Sequence, residues 1–450
     1  MLFKPLRVLW GDLTSAELKK FGILSVIVAL IIGNYWMLRT MKDAIFNDLV
    51  GLQWMPRAKL ATIIVMIFVI FVFNKLVDLF EKHKLFYVFS GIYSALFFLI
   101  AFATANVNFF SVSETSVFFP YVSWIPGKFV GWLSYVTFES SVVLIILFWA
   151  FVNSMTKPES AKKGYAMLAT CTQIGTITGS ILVRTFVLKI GSPAFIALGG
   201  VLILCVPWVV KLYVKEVPKE EGIVVEKKKT KTGFFEGFKL IVSKPYVMGI
   251  LIVSTIYEIV TTILEFQMKM IAKDIYVTRD AFASWYANFA ISANVLALIF
   301  ALVGTSFFMR KFGFRFCLLS YPTLVGVTIA SVFIYKMFGV SNVQYMWALF
   351  AGMVAIKGFS YSLNNPTKEV MYLPTSKDVK FKAKSWIDSF GQRGSKGTGA
   401  VIADSFKTSL SALITVGAAI SIGVVGVWLV VAFFLGKKFN KLQEENQIIE

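Results

Sequence analysis

A single histidine, His83, and only three cysteines in 450 residues leave almost no raw material for metal or imidazole chemistry. Cys171, Cys205 and Cys317 each fall in an apolar stretch, where a free thiol behaves as a small hydrophobe. Their spacing suggests neither a disulfide framework nor a zinc site. Acid is scarce as well: 25 Asp and Glu stand against 45 Lys and Arg, for a formal net charge of +20. Charged residues of both signs make up only 16% of the chain, against about a quarter in an ordinary soluble protein. A nucleotide-hydrolysis loop is missing too, because Gly394-Ser395-Lys396-Gly397-Thr398-Gly399 lacks the G-x-x-x-x-G-K-[ST] spacing and follows no strand. The residues thus argue against an enzyme, and neither a metal nor a cofactor is expected. The first twelve residues, interrupted by Pro5, Trp10 and Asp12, have no apolar core or small-residue cleavage site of a secretory signal. The first apolar run is expected to act as an uncleaved insertion signal.

What the chain has in abundance is apolar length. Hydrophobic residues are 57% of it, the mean hydropathy is +0.73, and apolar runs of about twenty residues recur from end to end. A helix rising 1.5 Å per residue needs roughly twenty residues to cross a 30 Å hydrocarbon core. Inside that core the backbone must satisfy its own hydrogen bonds, which leaves helices or closed barrels, and long unbroken runs exclude the barrel. The expected fold is all-α, a polytopic membrane protein of about twelve transmembrane helices. Spans are expected at 21–41, 60–80, 85–105, 129–155, 161–188, 193–214, 246–271, 282–308, 314–337, 344–363, 381–406 and 411–435. The fifth and eleventh are the least apolar and the richest in Gly, Ser and Thr, a composition suited to close helix packing or a wet face.

Orientation follows from the basic residues. If both termini and every even-to-odd loop lie on one side, that side collects about thirty Lys and Arg and the other about eight. Lys82, Lys84, Lys157, Lys162, Lys163, Arg310, Lys311, Arg315, Lys377, Lys380, Lys382, Lys384, Lys437, Lys438 and Lys441 all fall on the basic side. The positive-inside rule then places both termini in the cytoplasm and makes the net charge mostly topology. A nucleic-acid partner is not needed to explain it. The longest basic loop is centred on Glu226-Lys227-Lys228-Lys229-Thr230-Lys231 and divides the spans six and six. The expected layout is an N-terminal bundle at 1–214, a basic linker at 215–244, a C-terminal bundle at 245–436 and a tail at 437–450. The halves echo one another. Thr156-Lys157-Pro158-Glu159 and Thr375-Ser376-Lys377-Asp378 both read as helix caps, and Gln173 and Gly175 match Gln392 and Gly394 at one common offset.

Charge inside a membrane span costs about 2.5–3.5 kcal/mol on the insertion scale, so it persists where it meets water, a partner or a substrate. The basic residues in the spans are Arg39, Arg184, Lys269, Lys357, Arg393 and Lys396, with Lys42 just past the first. The acids are Glu139, Glu258, Glu265, Asp388 and Asp404. Tyr35, Arg39 and Lys42 share one helix face, Glu258, Thr262, Glu265 and Lys269 a second, and Asp388, Gln392, Lys396 and Gly399 a third. Glu139 has no charged neighbour in sequence, and Asn153 lies further along its span. Near span ends, Arg39, Lys42, Arg184 and Lys357 can also be read as snorkelling cations, and Glu265 with Lys269 as a simple helix salt bridge. Lys396, set among Gly394, Gly397 and Gly399, is the strongest substrate contact on this reading. Cations outnumber anions, so the expected cargo is anionic, and polyphosphate suits several Lys and Arg that each take an oxygen or two. Tyr35, Trp36, Phe148 and Trp149 are aromatic enough to stack on a base, a weak signal in a chain so rich in aromatics.

Leu38-Arg39-Thr40-Met41-Lys42-Asp43, Pro366-Thr367-Lys368-Glu369, Phe381-Lys382-Ala383-Lys384-Ser385-Trp386-Ile387-Asp388 and Gly394-Ser395-Lys396-Gly397 are specific segments. They resemble the ATP/ADP translocase, or TLC, family, the nucleotide transporters of intracellular bacteria and plastids, and the likeness covers nearly the whole chain. The resemblance implies a major-facilitator-like scaffold of two six-helix bundles and exchange of ATP for ADP, with phosphate, across a bacterial inner membrane. It also implies nucleotides and the bilayer as partners, a monomer, and functional roles for Lys42, Glu139, Glu265 (with Glu258 its rival) and Lys396. Arg393 departs from the family's neutral residue and adds a cation. With Tyr35, Arg39, Asn153, Lys269 and Arg393 in support, the expected picture is alternating access with Lys42 and Lys396 gripping the phosphates. Proton-coupled import of nucleoside triphosphates or NAD is the nearest alternative, and a lipid-handling or scaffold protein the alternative outside transport.

Overall fold

A computed structural model describes residues 14–107, 125–156, 158–217, 234–303, 305–376, 379–445 and 447–449. Residues 1–12, the Glu226–Lys231 run, Lys157, Lys377 and Asp378, and the side chains of Glu159, Lys162, Lys163 and Arg310 lie outside it, and with them the two expected caps before spans five and eleven. The described chain is helical throughout. Its only extended pairing is an isolated bridge between Thr375 and Ile449.

The helices are α1 (Ser15–Leu49), α2 (Met55–Leu79), α3 (Lys82–Ala105), α4 (Phe129–Ser140), α5 (Val142–Ser154), α6 (Pro158–Ile190) and α7 (Ser192–Glu216). After them come α8 (Phe234–Ser243), α9 (Pro245–Thr255), α10 (Tyr257–Ile275), α11 (Arg279–Val303), α12 (Thr305–Met337) and α13 (Asn342–Phe359). Then follow α14 (Asn365–Val370), α15 (Gln392–Ser405) and α16 (Leu410–Glu444). Among the described residues, ten runs are long and apolar enough to cross a membrane. The expected spans ten and eleven are not among them, for a physical reason. Wide π-turns at Ser360–Asn364, Val379–Ala383 and Ile387–Gly391 break them into shorter pieces, and the eleventh is rich in small and polar residues.

Local chemistry sets several boundaries. Thr14 starts α1 with a reciprocal capping box: its hydroxyl accepts from the Glu17 N–H at 3.2 Å, and the Glu17 carboxylate accepts from the Thr14 N–H at 2.9 Å. Two apolar spans are interrupted in one way. α4 gives way to α5 at Ser141, where the Leu144 N–H bonds back only three residues, to the Ser141 carbonyl. α9 gives way to α10 at Ile256, where the Ile259 N–H does the same to Ile256. In each break a neighbouring carbonyl is capped from elsewhere: Tyr93 Oη donates to the Ser140 carbonyl at 2.9 Å, and Lys368 Nζ to the Ser254 carbonyl at 2.7 Å. Such caps are what let a broken helix persist in lipid.

The chain forms two compact units, 1–227 with 276–291, and 228–275 with 292–450. In the first, α1 and α6 cross with backbones in contact. A Cβ placed on Gly175 would stand 2.9 Å from the Ala29 carbonyl oxygen, one on Gly33 would stand 3.1 Å from that of Gly175, and one on Gly179 would overlap the Gly33 carbonyl. Small residues four apart on each helix permit this approach, which in a bilayer replaces the missing hydrophobic drive with packing. The first turns of α11 also belong to this unit. Arg279 pairs with Asp48 and its guanidinium donates to the Thr104 carbonyl at 3.4 Å; Ser192 donates from both N–H and hydroxyl to Asp280. Arg184, an intramembrane cation of the sequence, donates to Asn288 at 2.6 Å. Gly179→Val is expected to separate α1 from α6 and abolish recovery of monodisperse protein, measured by size-exclusion chromatography of a fluorescent fusion, whereas Gly22→Ala, in open space, leaves it unchanged.

In the second unit α10 packs on α15 by the same means, because a Cβ on Gly399 would stand 2.8 Å from the Ile259 carbonyl. The Gly-, Ser- and Thr-rich fifth and eleventh spans are the ones that make these contacts. The end of the expected linker is itself ordered: α8 carries Phe238, 5.2 Å from the Trp386 ring, and Glu236, 2.9 Å from Lys382. Its apolar residues fall on one side, so the segment docks instead of remaining solvated.

Candidate functional site

In the first unit the intramembrane charges converge on Lys42. This residue lies in the last turns of α1 and is buried, with 8% of its side chain exposed. Its ammonium is 2.5 Å from a carboxylate oxygen of Glu139, 4.0 Å from Asp43, and 4.2 Å from the centre of the Tyr135 ring. Tyr135 and Glu139 are one helical turn apart on α4, so a single face presents both a π-face and a carboxylate to the lysine. Glu139 stands two residues before the break at Ser141. One turn before Lys42, Arg39 accompanies Tyr35: its guanidinium donates to the Tyr35 hydroxyl at 3.1 Å and lies 5.0 Å from the Trp36 ring. Removing either partner of this pair would leave an uncompensated buried charge.

Asn153 is not part of this cluster. It is exposed and accepts a hydrogen bond from the Tyr165 hydroxyl at 2.5 Å, and fourteen residues of helix place it about 20 Å from Glu139.

The second unit builds its cluster around Glu258, two residues after the break at Ile256. Its side chain is 6% exposed; Tyr257 Oη donates to it at 2.6 Å, and Lys396 Nζ lies 3.6 Å away. Lys357 and Lys368 also bring their charges to bear on it. Lys368 is buried and rests 4.1 Å from the centre of the Tyr257 ring. The Lys396 side chain is 44% exposed. The carboxylate that meets Lys396 is therefore Glu258, whereas Glu265 pairs with Lys269 one turn along its own helix, both buried. Arg393 donates to the Ser389 carbonyl at 2.6 Å.

The two units repeat one arrangement: a lysine, a carboxylate from a broken span, and a tyrosine ring nearby. Half-broken helices that expose charge at mid-span are how many secondary transporters make room for a substrate. A sequence model of TLC ATP/ADP transporters matches residues 2–439.

The chain belongs to the TLC ATP/ADP transporter family.

Other members resemble it along their full length. The ADP,ATP carrier protein 1 of Rickettsia typhi is 25% identical, over 98% of this chain and 97% of its own, and that of Rickettsia prowazekii is 25% identical over 89% and 88%. The ADP,ATP carrier protein 3 of Rickettsia bellii is 24% identical over 89% of each. Solved structures share the fold at low identity. A bacterial homologue of the iron transporter ferroportin aligns with a TM-score of 0.61 at 13% identity, over 94% of this chain and 100% of its own. The nucleoside transporter NupG gives 0.60 at 14%, over 95% and 99%. This TLC transporter thus has the major-facilitator-like helical scaffold.

Two residues of the TLC chain's second cluster are not among the charges and faces singled out inside the spans. Lys368 lies in the Pro366-Thr367-Lys368-Glu369 segment, beyond the expected end of span ten, and so is not counted as an intramembrane cation. Tyr257 is one tyrosine among 16.

Proposed function

We propose that this TLC protein exchanges ATP for ADP, with phosphate as a further anion, across a bacterial inner membrane by alternating access. The observation that carries the reading is the 2.5 Å Lys42–Glu139 pair at a break in a transmembrane span. A buried ion pair contributes little to stability compared with apolar packing, so its presence inside a membrane points to a cation kept for an anionic cargo. In each unit the entering phosphate replaces a carboxylate on a lysine: Glu139 on Lys42, and Glu258 on Lys396. Arg39 and Tyr35 support the first cluster, Arg393 the second, and Glu265–Lys269 braces α10. The basic-residue bias favours both termini in the cytoplasm, and each chain works as a monomer.

Exchange follows from charge. Lys396, Lys357 and Lys368 outnumber Glu258 and Asp388, the carboxylates whose charges they share, so the site without its anion holds excess positive charge in a low-dielectric span, a state that moves across reluctantly. Uptake of labelled ATP into proteoliposomes is expected to be strongly stimulated by internal ADP. Equal uptake into empty and preloaded vesicles, lost on adding a protonophore, would replace exchange with proton-coupled import.

A further inference from the structure

The second cluster contains more cationic capacity than the Lys396–Glu258 pair uses. Lys357 closes α13, and the chain then widens into the π-turn Ser360–Asn364 before α14 carries Lys368. Single π-turns are concentrated at functional sites, because the extra residue in the turn re-aims the side chains that follow it. Among the described residues Lys357 makes no hydrogen bond and no ion pair, yet its charge bears on Glu258. Asn364, one turn before Lys368, is buried, and its amide nitrogen donates to no group among the described residues. An ammonium without a partner and an amide donor without an acceptor, on one broken helix beside a carboxylate already claimed by Lys396 and Tyr257, make a site short of acceptor oxygens. Buried donors are otherwise almost always satisfied. A polyphosphate supplies what is missing: several oxygens, each able to take more than one donor, and negative charge beyond that of Glu258 and Asp388 to balance three lysines.

We infer that Lys357 and Lys368 are substrate contacts that take phosphate oxygens of the nucleotide, while Glu258 is the internal anion that holds the lysines together when the site is empty. This rests on the nucleotide-exchange reading and adds to it a count: the second unit grips the phosphate chain with three lysines. Lysine suits the task, since its ammonium is a point charge with three rotatable donors and adapts to di- and triphosphate alike. The neighbouring Tyr257 ring steadies Lys368 without competing as an anion does.

The test is equilibrium binding of labelled ATP, ADP and AMP to the purified chain in proteoliposomes, with Lys357→Gln and Lys368→Gln compared with the native protein. Each substitution is expected to raise the Kd for ATP about tenfold or more, the loss of one charge-assisted hydrogen bond, and that for AMP by less than about threefold. Lys368→Gln also removes the cap on the Ser254 carbonyl; should it fail to fold, Lys357→Gln, whose ammonium bonds no protein group among the described residues, carries the test alone. A uniform loss for all three nucleotides, or unchanged affinities, would overturn the inference and leave the exchange reading intact. Loss of competition by inorganic phosphate with ATP affinity preserved would overturn it too, by assigning the cluster to free phosphate. Failure of the native chain to bind any adenine nucleotide would remove both the inference and the reading beneath it.

Discussion

Glu139→Gln is expected to slow ATP/ADP exchange about a hundredfold while tightening, not weakening, the binding of ATP. Glutamine preserves the shape of the side chain and removes its charge, so the change isolates electrostatics. Among the described residues, Lys42 is then left in a membrane span with Asp43, at 4.0 Å, as its paired anion. Breaking one side of a buried pair costs about 3–5 kcal/mol, and the 28% exposure of Glu139 places this pair toward the low end or below it. An incoming phosphate no longer competes with a resident carboxylate, which raises affinity. A site that prefers substrate to its own empty state releases poorly and resets poorly, which lowers turnover. Binding and exchange measured on one preparation separate these effects. Weaker binding with unchanged turnover would mean that Glu139 touches the substrate directly and does not alternate with it.

Lys396→Ala is the second substitution of large effect, and it differs in kind. Its side chain is 44% exposed and flanked by glycines, and Glu258 retains the Tyr257 hydroxyl at 2.6 Å and the charges of Lys357 and Lys368. Stability should move by no more than about 0.5 kcal/mol, as for other substitutions away from the packed core. Nucleotide uptake should fall about a hundredfold, because a cation open to substrate has been removed. Thermal unfolding and uptake are the paired measurements. Intact uptake in a folded variant would end the phosphate-grip account of the second unit.

Most of the scaffold was legible because membrane helices announce themselves through apolar length, a one-dimensional property. Close packing of the fifth and eleventh spans was legible for a similar reason, since Gly175 and Gly179, or Gly397 and Gly399, can be read directly as room for a neighbour. Pairing was not. Lys42 and Glu139 each stood out singly by the cost of burying them, but they are 97 residues apart, and nothing in the sequence joins them. Glu258 and Glu265 lie two turns apart on one helix face, so periodicity cannot choose between them. The break at Ile256 and the approach of α15 bring Glu258, not Glu265, to Lys396, and both are three-dimensional. Spans ten and eleven illustrate the other limit. Apolar length ends span ten at Leu363, whereas the helix continues through a π-turn into the polar run Asn365–Val370 that carries Lys368.

The bridge between Thr375 and Ile449 has a practical consequence. The Ser376 N–H donates to the Ile449 carbonyl at 2.8 Å, and the Ile449 N–H to that of Pro374 at 3.0 Å. Three residues after Ser376 the chain enters the π- and α-turns that lead to Lys396. The final residues therefore act as a tether on the entrance to that segment. A fluorophore attached at Ile449 reports on the segment that leads to Lys396 without replacing any residue of the second cluster.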